Sequence, residues 1–226
     1  MTSGHLFMKR QRAVKEEHKL ERKQAILDTA WKIFQTTPYH EVTMSIVAQK
    51  TRLAKGTLFL YFPTKEEMFL ALLEGQLVEW FTEVNLQLDL LKGKTTIEQV
   101  VSLFADSLKA RTSFTRLLAI HSTIVEQNVS YESILQHKQI ILSHLAGTGT
   151  RLESALPYLT KGQGAHFILQ AQATVVGLWH LADPSPIASD VIKNEGLDVF
   201  NLDFILEFQK MLTALLYGLE RISKKS

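Results

Sequence analysis

The sequence predicts an all-α protein, in which a small basic N-terminal part precedes a larger helical body. Apolar residues recur at a period near 3.6 along most of the chain, strand-like alternation is scarce, and the breaks between periodic stretches are short. The 226 residues are 46% hydrophobic and 21% charged, enough for one large core or two modest ones and too apolar for a disordered segment. Cysteine is absent, which excludes disulfides, thiolate metal sites and a cysteine nucleophile. No apolar run reaches the length of a membrane span, and the basic start lacks the apolar stretch of an export signal. A cytoplasmic location without membrane attachment is therefore expected.

The first helix is expected from about Glu17 to Thr36, with Ile26, Leu27, Ala30, Trp31, Ile33 and Phe34 as its apolar stripe and Pro38 ending it. Thr43 is an N-cap for a short helix carrying Ile46, Val47 and Ala48. After a break at Thr51–Leu53, another short helix spans Ala54–Tyr61. Pro63-Thr64-Lys65-Glu66-Glu67 restarts the pattern as a capping box, and the helix so begun lasts to Leu91, before the Lys92-Gly93-Lys94 turn. Further helices are expected at Thr96–Ala110, Ser113–Asn128, Tyr131–Thr148, Leu152–Tyr158, Gly164–Ala182 and Leu202–Lys224. The segment Asp183–Asp203, with Pro184, Pro186 and Gly196, reads as a long loop.

A net charge of +2 conceals an asymmetry. Up to Lys65 there are 12 Lys and Arg against 5 Asp and Glu, and from Glu66 onward 13 against 18. A basic head on an acidic body points to an anionic partner for the head, nucleic acid or a membrane surface. We therefore divide the chain into a head at 1–65 and a body at 66–226. Three helices within about 45 residues, the last two joined by a tight turn, have the arithmetic of a helix-turn-helix unit. Ala48, Leu53, Leu58 and Phe62 are placed to pack on the first helix, leaving Lys55, Thr57, Phe59 and Tyr61 for base edges and phosphates. Gly56 weakens that third helix, and close approach of its backbone to a phosphate or sugar is the compensating benefit. Thr43 and Lys65 flank the unit at helix starts, where phosphate is favoured.

The run TMSIVAQKTRLAKGTLFLYFPTKEEMF resembles the TetR family of bacterial transcriptional regulators. The matching residues are Thr43, Val47, Ala48, Gly56, Thr57, Leu58, Phe59, Tyr61, Phe62, Lys65, Glu66 and Glu67. The resemblance implies double-stranded DNA as partner, a homodimer, and release of the operator by a small-molecule effector. Repression by promoter occlusion is the leading mechanism, activation the alternative, and a helical adaptor a more distant one. The turn departs from the family pattern: Thr51-Arg52-Leu53-Ala54 stands where Ala-Gly-Val-Ser is usual. Either Arg52 adopts a conformation unusual for a residue with a Cβ, or the turn is reshaped; Thr51 or a phosphate must stand in for the missing serine cap. Arg52 is also a candidate phosphate contact. The leader residues Lys9, Arg10, Arg12, Lys15, Lys19, Arg22 and Lys23 read either as an arm against the DNA backbone or minor groove or as a frayed, solvated terminus.

In the body, His166–Ala182 and the last helix are apolar on almost every side, which demands cover on more than one face. Either one core covers them or a twin subunit does; the resemblance implies the twin. The expected dimer residues are Phe167, Ala171, Val175, Leu178, Phe204, Phe208, Leu212, Leu215 and Leu219. The resemblance also implies a cavity in the body, for which Trp80, Phe104, Leu108, Leu117, His121, Phe167 and Trp179 are candidate liners, with Val84, Ile124 and Val175 beside them. The scarcity of charge among them favours an apolar or aromatic effector. His121, His166 and His180 are candidate neighbours, but none of the eight histidines shows a short paired metal-ligand spacing, so neither metal nor cofactor is expected. No phosphate loop, nucleophile elbow or paired carboxylates suggest an enzyme.

Overall fold

The computed structural model describes residues 3–91 and 95–225, and side chains from Glu16 onward. The side chains of Lys9, Arg10, Arg12 and Lys15 and the Lys92-Gly93-Lys94 turn lie outside the described residues. Ten α-helices and no strand occur among those described, the expected all-α class. No helix there is long and apolar enough to cross a membrane.

The chain forms two compact units, Met1–Leu72 and Leu73–Ser226. In the first, α1 (Ser3–Thr36) precedes a 3-10 turn (Tyr39–Glu41), α2 (Met44–Thr51), α3 (Lys55–Tyr61) and the start of α4 (Lys65–Leu90). Helix α1 begins well before Glu17, because good helix formers and no proline occupy the leader. This unit runs on to Leu72, and within it Phe69 meets Phe34 edge-on at 5.2 Å and Tyr39 at 4.8 Å. Ile26, Ala30, Phe34, Val47, Ala48, Leu58 and Phe62 complete this small core. Each large member contributes about 1.5–3 kcal/mol by leaving water.

The second unit contains the rest of α4, α5 (Ile97–Lys109), α6 (Thr112–His121), a 3-10 turn (Val125–Asn128), α7 (Tyr131–Ala155), α8 (Gln163–Ala182), α9 (Pro186–Asn194) and α10 (Phe204–Ser223). Thr96 caps α5 in a full capping box with Gln99, and Ser130 caps α7. Two expected helices, Tyr131–Thr148 and Leu152–Tyr158, are joined in α7 because Gly147 and Gly149 are carried inside the helix rather than ending it. The stretch expected at Ser113–Asn128 gives up α-helix at His121. The expected loop at 183–203 holds α9, which Ser185 caps and Pro186 opens; proline suits that position because its missing N–H has no partner to lose.

An aromatic cluster of Trp80, Phe81, Phe104, Phe114 and Phe167 fills the core of this unit. The Trp80 indole N–H donates to Ser107 Oγ at 2.9 Å, which satisfies its one polar edge while the ring stays buried. Helices α7 and α8 meet backbone to backbone: a Cβ on Gly164 would stand 2.2 Å from the Gly149 carbonyl oxygen. Glu153 Oε1 accepts from the Gly162 and Gly164 N–H groups at 2.8 and 3.0 Å, so a carboxylate on α7 satisfies the open amides at the start of α8.

Candidate functional site

The turn between α2 and α3 is built from α2 outward. The Thr43 hydroxyl accepts from the Ile46 N–H at 3.2 Å and starts α2. Arg52 ends it at φ 58, ψ 32, the only non-glycine residue at positive φ among those described. The Arg52 N–H reaches Gln49 O at 3.2 Å and the Leu53 N–H reaches Ala48 O at 2.9 Å, so the last carbonyls of α2 are satisfied by a left-handed closure. The turn therefore keeps its shape and loads the strain onto an arginine. The Thr51 hydroxyl does not cap α3; it donates back to Val47 O and Ala48 O at 2.8 and 3.1 Å, and Ala54 leads into α3 without a side-chain cap.

The left-handed conformation costs an L-residue about 1–2 kcal/mol relative to glycine. Arg52→Gly is therefore expected to stabilise the protein by about 1 kcal/mol, after the loss to glycine's freer unfolded chain. Thermal melting checks this, and an unchanged or lowered melting temperature would show that the arginine carries a compensating contact.

Helix α3 has two distinct sides. Leu58 and the following Phe62 are buried, whereas Lys55, Gly56, Phe59 and Leu60 are exposed and Thr57 and Tyr61 half-buried. The Lys55 ammonium lies 5.9 Å from the Phe59 ring centroid. Arg52 and Thr43 are exposed as well. Lys65, expected at a helix start where phosphate is favoured, has partners within the head. Its ammonium donates to Tyr39 O at 3.1 Å and sits 3.8 Å from the centroid of the Tyr39 ring. The Tyr39 hydroxyl donates to Glu66 at 2.8 Å, and burial, then this carboxylate, push the phenol far above its usual range. Lys65 thus clamps the Tyr39–Glu41 turn onto the start of α4, and burial pulls its own pKa down. Thr64 caps α4 by accepting from the Glu67 N–H at 3.0 Å.

The second unit encloses an apolar cavity of about 40 Å³ lined from α4, α5, α6, α7, α8 and α10. Trp80, Phe104, Leu108 and His121 line it, as does Val175. Leu117 and Phe167 are buried outside its wall, and Trp179 packs on Phe204 with ring centroids 5.9 Å apart. Sequence reasoning missed Leu73, Phe81, Ile141, Leu145 and Gln172, which only tertiary packing brings to the wall. A roomier groove of about 560 Å³ beside α4 and α5 is open and includes Glu83, Glu98 and Asp106, unlike the apolar cavity.

The expected dimer residues divide. Phe167, Ala171, Val175, Phe208 and Leu212 are buried inside the unit, and Ala171, Val175 and Phe208 line the cavity instead. They face the unit's own core because the stripes of α8 and α10 that bury against its other helices claim them first. Leu178, Phe204, Leu215 and Leu219 are half-buried. The open sides carry Leu169, Ala173, Gly177 and Leu181 on α8 and Met211, Ala214, Gly218 and Ile222 on α10.

His121 has His137 as its neighbour, with ring centroids 4.7 Å apart, while His166 and His180 are exposed. Glu126 Oε1 lies 3.4 Å from His121 Nε2 and also pairs with Lys138. Burial above all, then the charge of His137, push the His121 imidazole down to about pKa 4, with Glu126 opposing.

The fold is thus a helix-turn-helix head followed by a helical body with an internal apolar cavity. Residues 26–72 match the family described as bacterial regulatory proteins, tetR family, and residues 74–222 the tetracyclin repressor-like C-terminal domain. The chain belongs to the TetR family of transcriptional regulators. It is 29% identical over 138 residues, 61% of its length and 37% of the relative's, to the HTH-type transcriptional regulator YuxN of Bacillus subtilis (strain 168). It is also 29% identical to the fatty acid metabolism regulator protein of the same organism, over 54% of this chain and 59% of that one. The chain thus spans less than two thirds of the length of these curated relatives. The crystal structure of FadR from Bacillus subtilis in complex with stearoyl-CoA shares the fold at a TM-score of 0.52 and 17% identity, covering 85% of this chain and 96% of that one.

Proposed function

We propose that the protein is a DNA-binding transcriptional repressor that acts as a homodimer on a two-fold operator and is released by a small apolar effector. The observation that carries this reading is the division of α3, whose buried side holds the head together while Lys55, Gly56, Phe59 and Leu60 stand clear of the fold. Such a helix fits the major groove, with phosphate contacts setting its register. Nothing lies within 4 Å of where a Gly56 Cβ would stand, so packing within the chain does not require the glycine. The open sides of α8 and α10 support a twin subunit there, with Ala173, Gly177, Ala214 and Gly218 allowing close helix approach. Two heads on one dimer match two operator half-sites, and one head alone binds weakly.

The apolar wall supports an apolar guest, as does the stearoyl-CoA bound to the structural neighbour. About 40 Å³ is far below the roughly 300 Å³ of a small-molecule site, so a guest has to push the helices apart. Helix α4 lends Trp80 to the wall and begins at Lys65 in the head, so the guest acts on a helix that both units share. Release follows when the guest binds the expanded state more tightly than the contracted one.

The test is a genomic pull-down with purified protein, then gel-shift titration of the recovered duplex at several salt concentrations. Saturable binding that weakens with salt is expected, and Lys55→Ala should reduce the salt slope by about 1. Leu169→Glu combined with Met211→Glu should give monomers by sedimentation and lower operator affinity at least tenfold. The absence of saturable, salt-sensitive duplex binding overturns the reading.

A further inference from the structure

At the junction of α6, the Val125–Asn128 turn and α7, three ligand-type side chains converge: His121, Glu126 and His137, whose donor atoms all lie within 4.8 Å of one another. His137 is fully buried and His121 is 3% exposed, and the Nε2 atom of each has no hydrogen-bond partner. His121 Nε2 meets only the Glu126 carboxylate, at 3.4 Å and without hydrogen-bond geometry, so both buried nitrogens are poorly satisfied and a partner shared with Glu126 would relieve them. On the far side of His137, Nδ1 lies 3.2 Å from Glu74 Oε1. That carboxylate holds the proton on Nδ1 and turns the Nε2 lone pair inward, the outer-shell arrangement that orients metal-binding histidines.

We propose that His121, Glu126 and His137 form a binding site for a divalent transition-metal ion, with zinc the best fit. Two imidazole nitrogens and one carboxylate are borderline donors, suited to zinc, cobalt or nickel and poorly suited to magnesium or calcium, which take mostly oxygen. Metal–ligand bonds of about 2.0–2.2 Å place donors roughly 3.3 Å apart in a tetrahedron, so the cluster contracts on binding. Glu126 sits on a single turn of 3-10 helix and supplies that movement. The Lys138 ammonium, which pairs with Glu126, is the competing cation; its side chain is 55% exposed and swings into water when displaced. Three protein ligands leave a fourth position open. Because His121 also lines the apolar cavity, that position lies beside the effector's space and is available to water or to a polar end of a guest.

The site is tested on full-length, tag-free protein stripped with chelator, titrated with zinc chloride against a chromogenic chelator and with cobalt chloride followed by visible absorption. One ion per chain at micromolar or tighter affinity is expected, with four-coordinate cobalt absorption and a melting temperature raised by several degrees. His121→Gln and His137→Gln should each weaken binding at least a hundredfold, and Glu74→Gln about tenfold. Glu126→Gln, on an accessible turn, should weaken binding without unfolding the protein, which circular dichroism verifies. Lys138→Gln should tighten binding severalfold by removing the competing charge, a gain that a purely structural cluster would not produce. Zinc binding that is absent, or unchanged in Glu126→Gln and Lys138→Gln, overturns the proposal.

Discussion

Replacing Gly164 with alanine is expected to destabilise the second unit by about 3 kcal/mol or more, the upper range for overpacking. The new Cβ would stand 2.2 Å from the Gly149 carbonyl oxygen and 2.8 Å from both its carbonyl carbon and its Cα. All three are backbone atoms of α7, so no side chain can rotate aside; the helices have to separate. They are poorly placed to do so, because Glu153 on α7 holds the Gly162 and Gly164 amides of α8. The reciprocal change, Gly149→Ala, meets the Ala165 nitrogen at 2.6 Å and should be severe as well. Gly75→Ala, inside α4, is the control: it meets nothing within 4 Å and should stabilise that helix by up to about 1 kcal/mol. Denaturant unfolding of the three variants at one protein concentration measures these differences. A loss below about 1 kcal/mol in Gly164→Ala would mean that α8 re-seats on α7 without strain.

Gly56→Ala is expected to separate stability from function. At the second position of α3 alanine gains part of the about 0.5–1 kcal/mol it is worth in a helix interior, and the open space there imposes no steric cost. The variant should therefore melt at a higher temperature. On the proposed close approach of the α3 backbone to a phosphate or sugar, its affinity for the operator should nonetheless fall tenfold or more, because the methyl group holds that backbone away. Fluorescence anisotropy on duplex DNA at fixed salt, alongside thermal melts, reads both effects. A variant that is more stable and binds equally well would remove the backbone of α3 from the interface and leave recognition to Lys55, Phe59 and their neighbours.

Much of the architecture was legible in the residues because it follows from local rules. The apolar stripe of Ile26, Ala30 and Phe34 and the caps at Thr43 and Thr64 are short-range features whose physics acts within a few residues. Glycines and prolines were harder to read, since each has two meanings. Pro186 opens α9 instead of breaking it, and Gly149 is a contact surface inside α7 instead of its end. The two sides of α3 were legible because the helix is seven residues long and they separate by periodicity alone. The contact of Lys65 with Tyr39 was not, because the two lie 26 residues apart. The cavity wall and the His121–Glu126–His137 cluster depend on helix packing, which no spacing along the chain encodes.

The two-sided build of α3 also bears on how such proteins diversify. Leu58 and Phe62 are fixed by the core, whereas Lys55, Phe59 and the 83% exposed Leu60 owe nothing to it. Substitutions at those outward positions are nearly neutral for folding, so they can drift without a stability penalty. On the proposed reading of α3, a duplicated copy of the gene can then acquire a new target sequence in a handful of steps, each intermediate remaining folded. The same freedom marks these positions as the place to randomise a library for a regulator with altered operator preference.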